Sequence, residues 1–321
     1  MIFLTLYLFL LNLSLESVHK FTLEPYDYPK SVYISPDNKR VYVCNLEGHN
    51  ILIIDRETKE IIDRVKIIGK PVEITFTEGG RYVWVSLLKA RAIAIYDAVL
   101  KKVVKKILVG KEPKILRVDP HEKYVFVSNW GSKNVSVIEV PFKKEIKRIY
   151  VGRNPRGIEF HPVKNLAYVA VMDEQNIAEI SLDSLEVISK ITKSVGRAPR
   201  HLAITKDGRY LYVSCNIASS VQKIDLEKKE VVKTLNVGGH PRTISLSPSE
   251  KYLFVVNYKT HSLNVIDTEK MENIYSVKTS PHPIGVDISK DEKEVWVTNY
   301  FPMCSIFVYN LQTHREKNQR G

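Results

Sequence analysis

The sequence predicts an all-β protein, a seven-bladed β-propeller with four antiparallel strands in each blade. Three observations lead to this fold. A unit of about 42 residues occurs seven times, each unit contains short strand-like segments, and the last unit lacks a fourth segment that is present before the first unit. Packing the units around a central axis would bury faces that a single unit leaves exposed.

Seven prolines mark the repeat, with spacings of 42, 42, 42, 44, 42 and 42 residues. They are Pro29, Pro71, Pro113, Pro155, Pro199, Pro241 and Pro283. An aromatic residue stands 13 positions after every one of them, and a β-branched residue or leucine stands 22 positions after six of them. Three registers kept over about 290 residues indicate true repeats.

Each unit predicts four strands. An alternating segment such as 243–246 comes first and is followed by a turn of the Ser-Pro-Asp type, as at residues 35–37. The second strand is apolar with the repeated aromatic, as in 41–43, the third resembles 51–54, and the fourth resembles 103–109. Short segments rich in Val, Ile and aromatics, separated by Gly, Pro and Asp, are typical of β-sheets.

The two chain ends predict how the ring closes. After the third strand of the seventh unit, at 306–313, only polar and charged residues remain, so we treat 315–321 as a polar tail. Residues 18–24 precede the first proline at the position of a fourth strand. We therefore expect this segment to complete the last blade, which would pair two otherwise exposed edges. The predicted propeller spans residues 18–314.

The first 17 residues are interpreted as a secretory signal peptide. Residues 2–13 are nearly all apolar, and their length suits the hydrophobic region of such a signal. No Lys or Arg precedes them, so a buried N-terminal strand or helix is the alternative. This run is short for a membrane anchor, and no later run is long enough to span a bilayer. The expected location is periplasmic or extracellular.

Several units share a motif with a known repeat class. Residues 35–45 with 51–55, and 247–257 with 263–267, follow the pattern Ser-Pro-Asp-x-Lys-x-x-Tyr-Val-x-Asn, then Val-x-Val-Ile-Asp; shorter matches occur at 124–129 and 296–299. Over residues 18–313 the chain resembles the YVTN-type β-propeller repeat of bacteria and archaea. The resemblance implies the fold. It does not select a function, since surface and periplasmic binding proteins, lactonases, lyases and redox-cofactor enzymes all use related propellers.

The candidate binding site lies at one end of the predicted channel. The residue after the repeat proline is basic in five of seven units, namely Lys30, Lys114, Arg156, Arg200 and Arg242. Pseudo-symmetry would bring these cations to one rim, where arginine can bind carboxylate or phosphate with two hydrogen bonds. The alternative is a solvated basic face, since the chain has 48 Lys and Arg and a net charge of +12.

Other repeated side chains map to the same face. Asn129, Asn257 and Asn299 end second strands, as does Asn45, and they are candidates for ligand contact or for satisfying backbone groups. The aromatics after them, Trp130, Tyr258 and Tyr300, could stack on a ligand or pack the loop. His201, His240 and His282, together with His261, are further candidates. They show no metal-binding spacing, so we predict no metal and no cofactor.

The remaining candidates are weaker. Glu73, Glu159 and Asp287 could act as bases near the channel, but no sequence motif pairs them. Of the three cysteines, Cys44 and Cys304 lie on adjacent predicted blades, so a disulfide between them stays open, whereas Cys215 is too far around the ring from Cys44.

We therefore predict a secreted or periplasmic binding or protein-interaction scaffold, rather than an enzyme, that acts as a monomer. Its partner would be an acidic protein, a glycan or a small anion at the basic channel mouth. The alternative is an enzyme of the lactonase or lyase kind, with Arg and His polarising a carbonyl and a carboxylate acting as base. The charge of +12 also permits nucleic-acid binding, but a secretory start argues against a specific nucleic-acid partner.

Overall fold

The computed structural model describes residues 12–314, and these residues form the predicted seven-bladed propeller. Each blade is a four-stranded antiparallel sheet whose strands follow chain order from the axis outward, except in the last blade. Three short 3₁₀ turns, Glu78–Gly80, Trp130–Ser132 and Met172–Glu174, lie in the connections.

Every blade runs from an inner strand at the axis to an outer strand at the perimeter. In that order, blade 1 has β2 (Pro29–Ile34), β3 (Arg40–Asn45), β4 (Asn50–Asp55) and β5 (Ile61–Lys66), and blade 2 has β6 (Pro71–Thr77), β7 (Tyr82–Leu87), β8 (Ala92–Asp97) and β9 (Lys102–Leu108). Blade 3 has β10 (Pro113–Val118), β11 (Tyr124–Asn129), β12 (Asn134–Glu139) and β13 (Lys144–Tyr150), blade 4 has β14 (Pro155–Phe160), β15 (Leu166–Val171), β16 (Asn176–Ser181) and β17 (Glu186–Ile191), and blade 5 has β18 (Pro199–Ile204), β19 (Tyr210–Cys215), β20 (Ser220–Asp225) and β21 (Glu230–Asn236). Blade 6 has β22 (Pro241–Leu246), β23 (Tyr252–Asn257), β24 (Ser262–Asp267) and β25 (Glu272–Lys278), and blade 7 has β26 (Pro283–Ile288), β27 (Glu294–Asn299), β28 (Ser305–His314) and β1 (Asn12–Thr22).

Burial along the strands explains their sequence patterns. All six residues of β8 are buried, because both faces of a middle strand are covered by neighbouring blades. In the outer strand β13, exposed and more buried residues alternate, because one face meets solvent. The repeated aromatic position forms the core between blades: Trp84 is fully buried and packs with Val125 of the next blade.

The predicted closure of the ring is confirmed, and it uses a longer strand than the sequence suggested. β1 pairs antiparallel with β28 from Asn12 opposite His314 to Thr22 opposite Ser305. The prediction that this strand starts at residue 18 was wrong, because Leu13 and Leu15 continue the alternation and bury their side chains against blade 6. Residues 12–17, assigned to the signal peptide, therefore belong to the propeller. Residues 1–11 and the tail 315–321 lie outside the described part of the chain.

A second contact reinforces the same junction. Arg56 of blade 1 forms ion pairs with Asp291, at 2.8 Å, and with Glu294, at 3.0 Å, in blade 7. Lys59 adds a third pair with Glu294 at 2.7 Å. The first and last blades are thus joined by partly buried charged side chains as well as by the β1–β28 ladder.

Shortening the N-terminus tests the role of the extra residues. A chain that starts at residue 18 should unfold at a lower temperature than one that starts at residue 12. It loses two buried leucines, each worth about 1.5–3 kcal/mol of burial, and part of the closing ladder. Thermal unfolding followed by circular dichroism measures the difference.

The matched control for that comparison is Tyr26→Ser in the longer chain, because this side chain is 76% exposed. It should leave the melting temperature unchanged. Equal melting temperatures for the two chain lengths would contradict a closing role for residues 12–17.

Candidate functional site

The candidate site lies where two sets of loops share one face of the ring. The loops that enter each inner strand contact the loops between the second and third strands of the same blade. The Met172 N–H donates to the Asn154 carbonyl oxygen at 3.2 Å, and the Tyr258 N–H donates to that of His240 at 3.1 Å. The first residues of the inner strands therefore surround one channel mouth.

The structure brings the five predicted cations together at this mouth, and we call them the cation ring. Its members are Lys30, Lys114, Arg156, Arg200 and Arg242. Arg156 is only 8% exposed and Arg200 only 6%. Within residues 12–314, no ion pair involves any of the five. An anion in the mouth would meet several converging donors.

Burial and mutual repulsion perturb the titration of the ring. Loss of hydration, together with the charges of the four other members, lowers the pKa of Lys30 well below its usual value. The same two causes, burial first and Arg156 second, lower the pKa of Lys114 to about 7. The pKa of Arg156 falls to about 10, and that of Arg200 is also lowered well below its ordinary value. The charge of Glu73 acts on Arg156 and Arg200 but does not balance the five cations, so the ring favours a bound anion.

Close packing of the inner strands holds this arrangement near the axis. A Cβ atom added to Gly157 would lie 2.8 Å from the carbonyl oxygen of Arg200 on the neighbouring blade. A Cβ added to Gly285 would lie 2.8 Å from the carbonyl oxygen of Lys30. Glycine at these two positions lets adjacent blades approach closely just behind the ring.

The three aromatics that follow the asparagines lie against the ring. The distance from the Tyr258 ring centre to the Arg242 guanidinium is 4.3 Å, and that from Tyr300 to the Lys30 ammonium is 5.1 Å. Trp130 lies 5.6 Å from the Lys114 ammonium. Such cation–π contacts orient the cations and partly compensate their lost hydration. They support the interpretation that these rings serve packing within the protein.

The asparagines proposed as ligand contacts are buried opposite the repeat prolines. Asn129, Asn257 and Asn299 are fully buried at the ends of second strands. The Asn129 side chain donates to Asn134 and Ser136 of its own blade, both at 2.8 Å. The Asn129 amide nitrogen thus bonds within its own blade, and a ligand contact by these three asparagines stays a prediction.

The histidines divide into two groups. His201 lies inside the channel and is 6% exposed. His240 and His282 lie in rim loops, where the His282 ring stacks on Tyr258 with ring centres 4.4 Å apart and meets His261 edge-on at 5.0 Å. Among the described residues, no three His, Cys, Asp or Glu side chains are grouped so that they could hold a metal.

A second layer of polar side chains lies deeper in the channel. It comes from the fourth residue after the repeat proline and contains Tyr33, Arg117, Glu159 and Asp287. The Arg117 Nε donates to the Glu159 carboxylate at 3.2 Å. The Asp287 carboxylate accepts from the Ile34 N–H at 2.8 Å and from the Ser245 hydroxyl at 3.2 Å.

This layer surrounds a cavity of about 200 Å³ that His201 also lines. Neither ring nitrogen of His201 has a hydrogen-bond partner. Burial, followed by the charges of Arg117, Arg156 and Arg200, lowers the pKa of His201 well below its usual value, so the imidazole is neutral. Buried polar groups without partners mark a place where water or a ligand belongs.

Burial dominates the titration of the three channel carboxyls. It raises the pKa of Glu73 and of Glu159 despite the nearby Arg117 charge. It raises the pKa of Asp287 to about 6 although that group accepts several hydrogen bonds. The structure thus groups the three carboxyls that the sequence left unpaired.

Sequence reasoning missed Arg117 and Tyr33. Both stand four residues after a repeat proline, the register that also supplies Glu159 and Asp287. Comparing that register across the seven units would have found them, since equal repeat positions face the axis at equal depth.

The cysteines do not take part in the site. Cys44, Cys215 and Cys304 are all buried free thiols, so the disulfide left open between Cys44 and Cys304 is not formed. The Cys304 thiol instead donates to the carbonyl oxygen of Tyr300 at 3.1 Å.

Fold and site together define a seven-bladed propeller with a cation-lined channel mouth, and comparison with known proteins places it among propellers. Residues 161–285 match the family model described as "Cytochrome D1 heme domain", which is less than half of the chain. The solved structure of Kuenenia stuttgartiensis hydrazine synthase superposes with a TM-score of 0.79 and 19% identity, covering 91% of this chain and 96% of that one. At that identity the likeness shows the fold alone. No curated protein matches.

In the part of the chain that the structure describes, no helix is long and apolar enough to cross a membrane.

Replacing one member of the cation ring should stabilise the ligand-free protein. Arg200→Met removes a buried, unpaired charge and keeps most of the side-chain volume, so the free energy of unfolding should rise by about 1 kcal/mol or more. Urea denaturation in a buffer of low anion content measures the change.

The control is Arg153→Met, because Arg153 is an exposed arginine on the same face. Its effect should stay within about 0.5 kcal/mol. A loss of stability in Arg200→Met would show that the ring is not internally repulsive.

Proposed function

We propose that this propeller is a binding protein that takes a small anion at the channel mouth. The observation that carries the proposal is the convergence of five cations that form no ion pair within the described residues. An anion bound there would replace mutual repulsion with attraction and hydrogen bonds, and arginine suits carboxylate and phosphate groups.

The depth of the ring favours a small anion over the acidic protein or glycan also considered from the sequence. Arg156 and Arg200 are more than nine-tenths buried, so a broad acidic surface could not reach their guanidinium groups. A small ion, or the anionic end of a slender molecule, can enter the recess.

Sulfate and inorganic phosphate are suitable probes of the site. Arg156→Gln and Arg200→Gln should each weaken their binding by about 10-fold or more, the worth of one hydrogen bond to a charged group. Isothermal titration calorimetry at increasing sodium chloride should show affinity falling with salt, because chloride screens and competes.

Arg153→Gln serves as the control, being an exposed arginine on the same face. Binding that is unchanged in both ring variants, or that is insensitive to salt, would refute the proposal.

The pH dependence of binding follows from the ring lysines. With the pKa of Lys114 lowered to about 7, this side chain is charged below pH 7 and loses its proton above it. An anion prefers the charged form, so affinity should be greatest below pH 7 and decrease as pH rises through that value. Lys114→Arg should flatten the decrease, since arginine keeps its charge.

Titrations with sulfate from pH 6 to 9 measure that slope in the native protein and in Lys114→Arg. Identical slopes for the two proteins would contradict a role for Lys114.

The partial match to a haem-domain model raises the question of whether haem fits here. His201, with two unpartnered nitrogens, has the chemistry of an iron ligand, and the cation ring suits carboxylates. The cavity beside His201, at about 200 Å³, is smaller than ordinary small-molecule pockets of roughly 300–1,000 Å³ and cannot enclose the macrocycle. The residues therefore do not fit haem, and we assign it no role.

The enzymatic alternative, a lactonase or lyase, would use the same channel. Its supporting observation is that Arg117, His201 and Asp287 line one cavity, where the first two could polarise a carbonyl and the carboxylate could act as base. Turnover of a lactone panel that is lost in His201→Ala would favour it over binding alone.

A periplasmic or extracellular location also stays a proposal. If a leader is removed, the cut that leaves β1 whole falls before Asn12, because cleavage after Ser17 would discard the buried Leu13 and Leu15. The mass of the mature protein recovered from the periplasm or medium would decide the position.

A further inference from the structure

The sign of the charge reverses along the channel. The cation ring lies at the mouth, whereas the deeper layer contains Glu159 and Asp287, with Glu73 between the two levels. In the deeper layer the two carboxylates of Glu159 and Asp287 face the single cation Arg117, which leaves a surplus of one negative charge, 2 − 1 = 1, when all are ionised. The channel is therefore bipolar.

The two levels are close enough to contact one ligand. They are three residues apart on the inner strands, or about 10 Å at roughly 3.3 Å per residue. Two side chains connect them. His201 experiences the charges of Arg117 below and of Arg156 and Arg200 above, and Glu73 experiences those of Arg117 below and of Arg156 and Lys30 above.

A second observation points independently to a ligand in the deeper layer. His201 is more than nine-tenths buried, lines the cavity and leaves both ring nitrogens unpartnered. A neutral imidazole offers one acceptor nitrogen, and the Tyr33 oxygen offers another acceptor. With the carboxylates of Glu159 and Asp287, the cavity is rich in acceptors.

We propose that the channel ligand is zwitterionic, an amino acid whose carboxylate binds the cation ring and whose ammonium group, several carbons away, enters the cavity between Glu159 and Asp287. An ammonium group donates three hydrogen bonds and carries the charge that the deeper layer lacks. The inference rests on the proposed function of the mouth and names the class of its ligand.

A dicarboxylate fits the channel less well. Arg117 is the one cation of the deeper layer, and its Nε already donates to Glu159 while its Nη1 donates to the Leu116 carbonyl oxygen at 3.0 Å. A second carboxylate would face Glu159 and Asp287 directly. Like charges in a low-dielectric site repel strongly.

Three probes of similar length separate these possibilities: 6-aminohexanoate, hexanoate and adipate. Titration calorimetry of the full chain at pH 7 should show 6-aminohexanoate binding about 10-fold more tightly than hexanoate, and adipate binding more weakly than either. Equal affinities, or tightest binding by adipate, would overturn the zwitterion proposal.

The deeper carboxylates are tested by substitution. Glu159→Gln should remove the preference for 6-aminohexanoate and leave sulfate binding within about twofold, since sulfate needs the ring alone. If Glu159→Gln does not fold, Asp287→Asn carries the same test, because an amide oxygen can still accept from the Ile34 N–H. Glu57→Gln, an exposed carboxylate in another part of blade 1, is the control and should retain the preference.

The failures of the two proposals are distinguishable. Sulfate binding that depends on Arg200, combined with no preference among the three acids, would refute the zwitterion and keep the anion site. Absence of binding by sulfate and by all three acids would refute both. Retention of the 6-aminohexanoate preference in Glu159→Gln and Asp287→Asn would place the ammonium outside the cavity and refute the proposal.

Discussion

The antiparallel pairing of β1 with β28 is the constraint on which the rest of the structure depends. It joins the two ends of the described chain into one sheet, so no blade is left with an uncovered face. Because the ring is closed, residues at equal repeat positions become neighbours around a single axis. The convergence of Arg156 with Arg200 and Lys30 is a consequence of that closure.

Closure also imposes a cost at the axis. Five cations are held close together in a poorly hydrated recess, and the nearby aromatics offset only part of their repulsion. Such an arrangement makes little sense for stability alone, since buried unpaired charge is destabilising. The arrangement is explained if the site binds an anion, because the same cations that lower the stability of the free protein raise its affinity for the anion.

The repeat made much of the site predictable. Position one after the proline identified the cation ring, because the same register in every unit meets the channel at the same depth. The repeat gives less guidance for Asn129, which ends a second strand and whose amide nitrogen donates to Asn134 of its own blade.

The sequence by itself determined the number of blades, the strands within each blade and the closing of the ring. The reason is that these features follow from a pattern repeated along the chain, which can be read without knowing any contact between units. Only the tertiary structure decided that β1 starts at Asn12, that Arg117 pairs with Glu159, and that His201 is left without partners. These features depend on contacts between blades far apart in the chain, and their distances and burial are properties of the closed ring rather than of any segment.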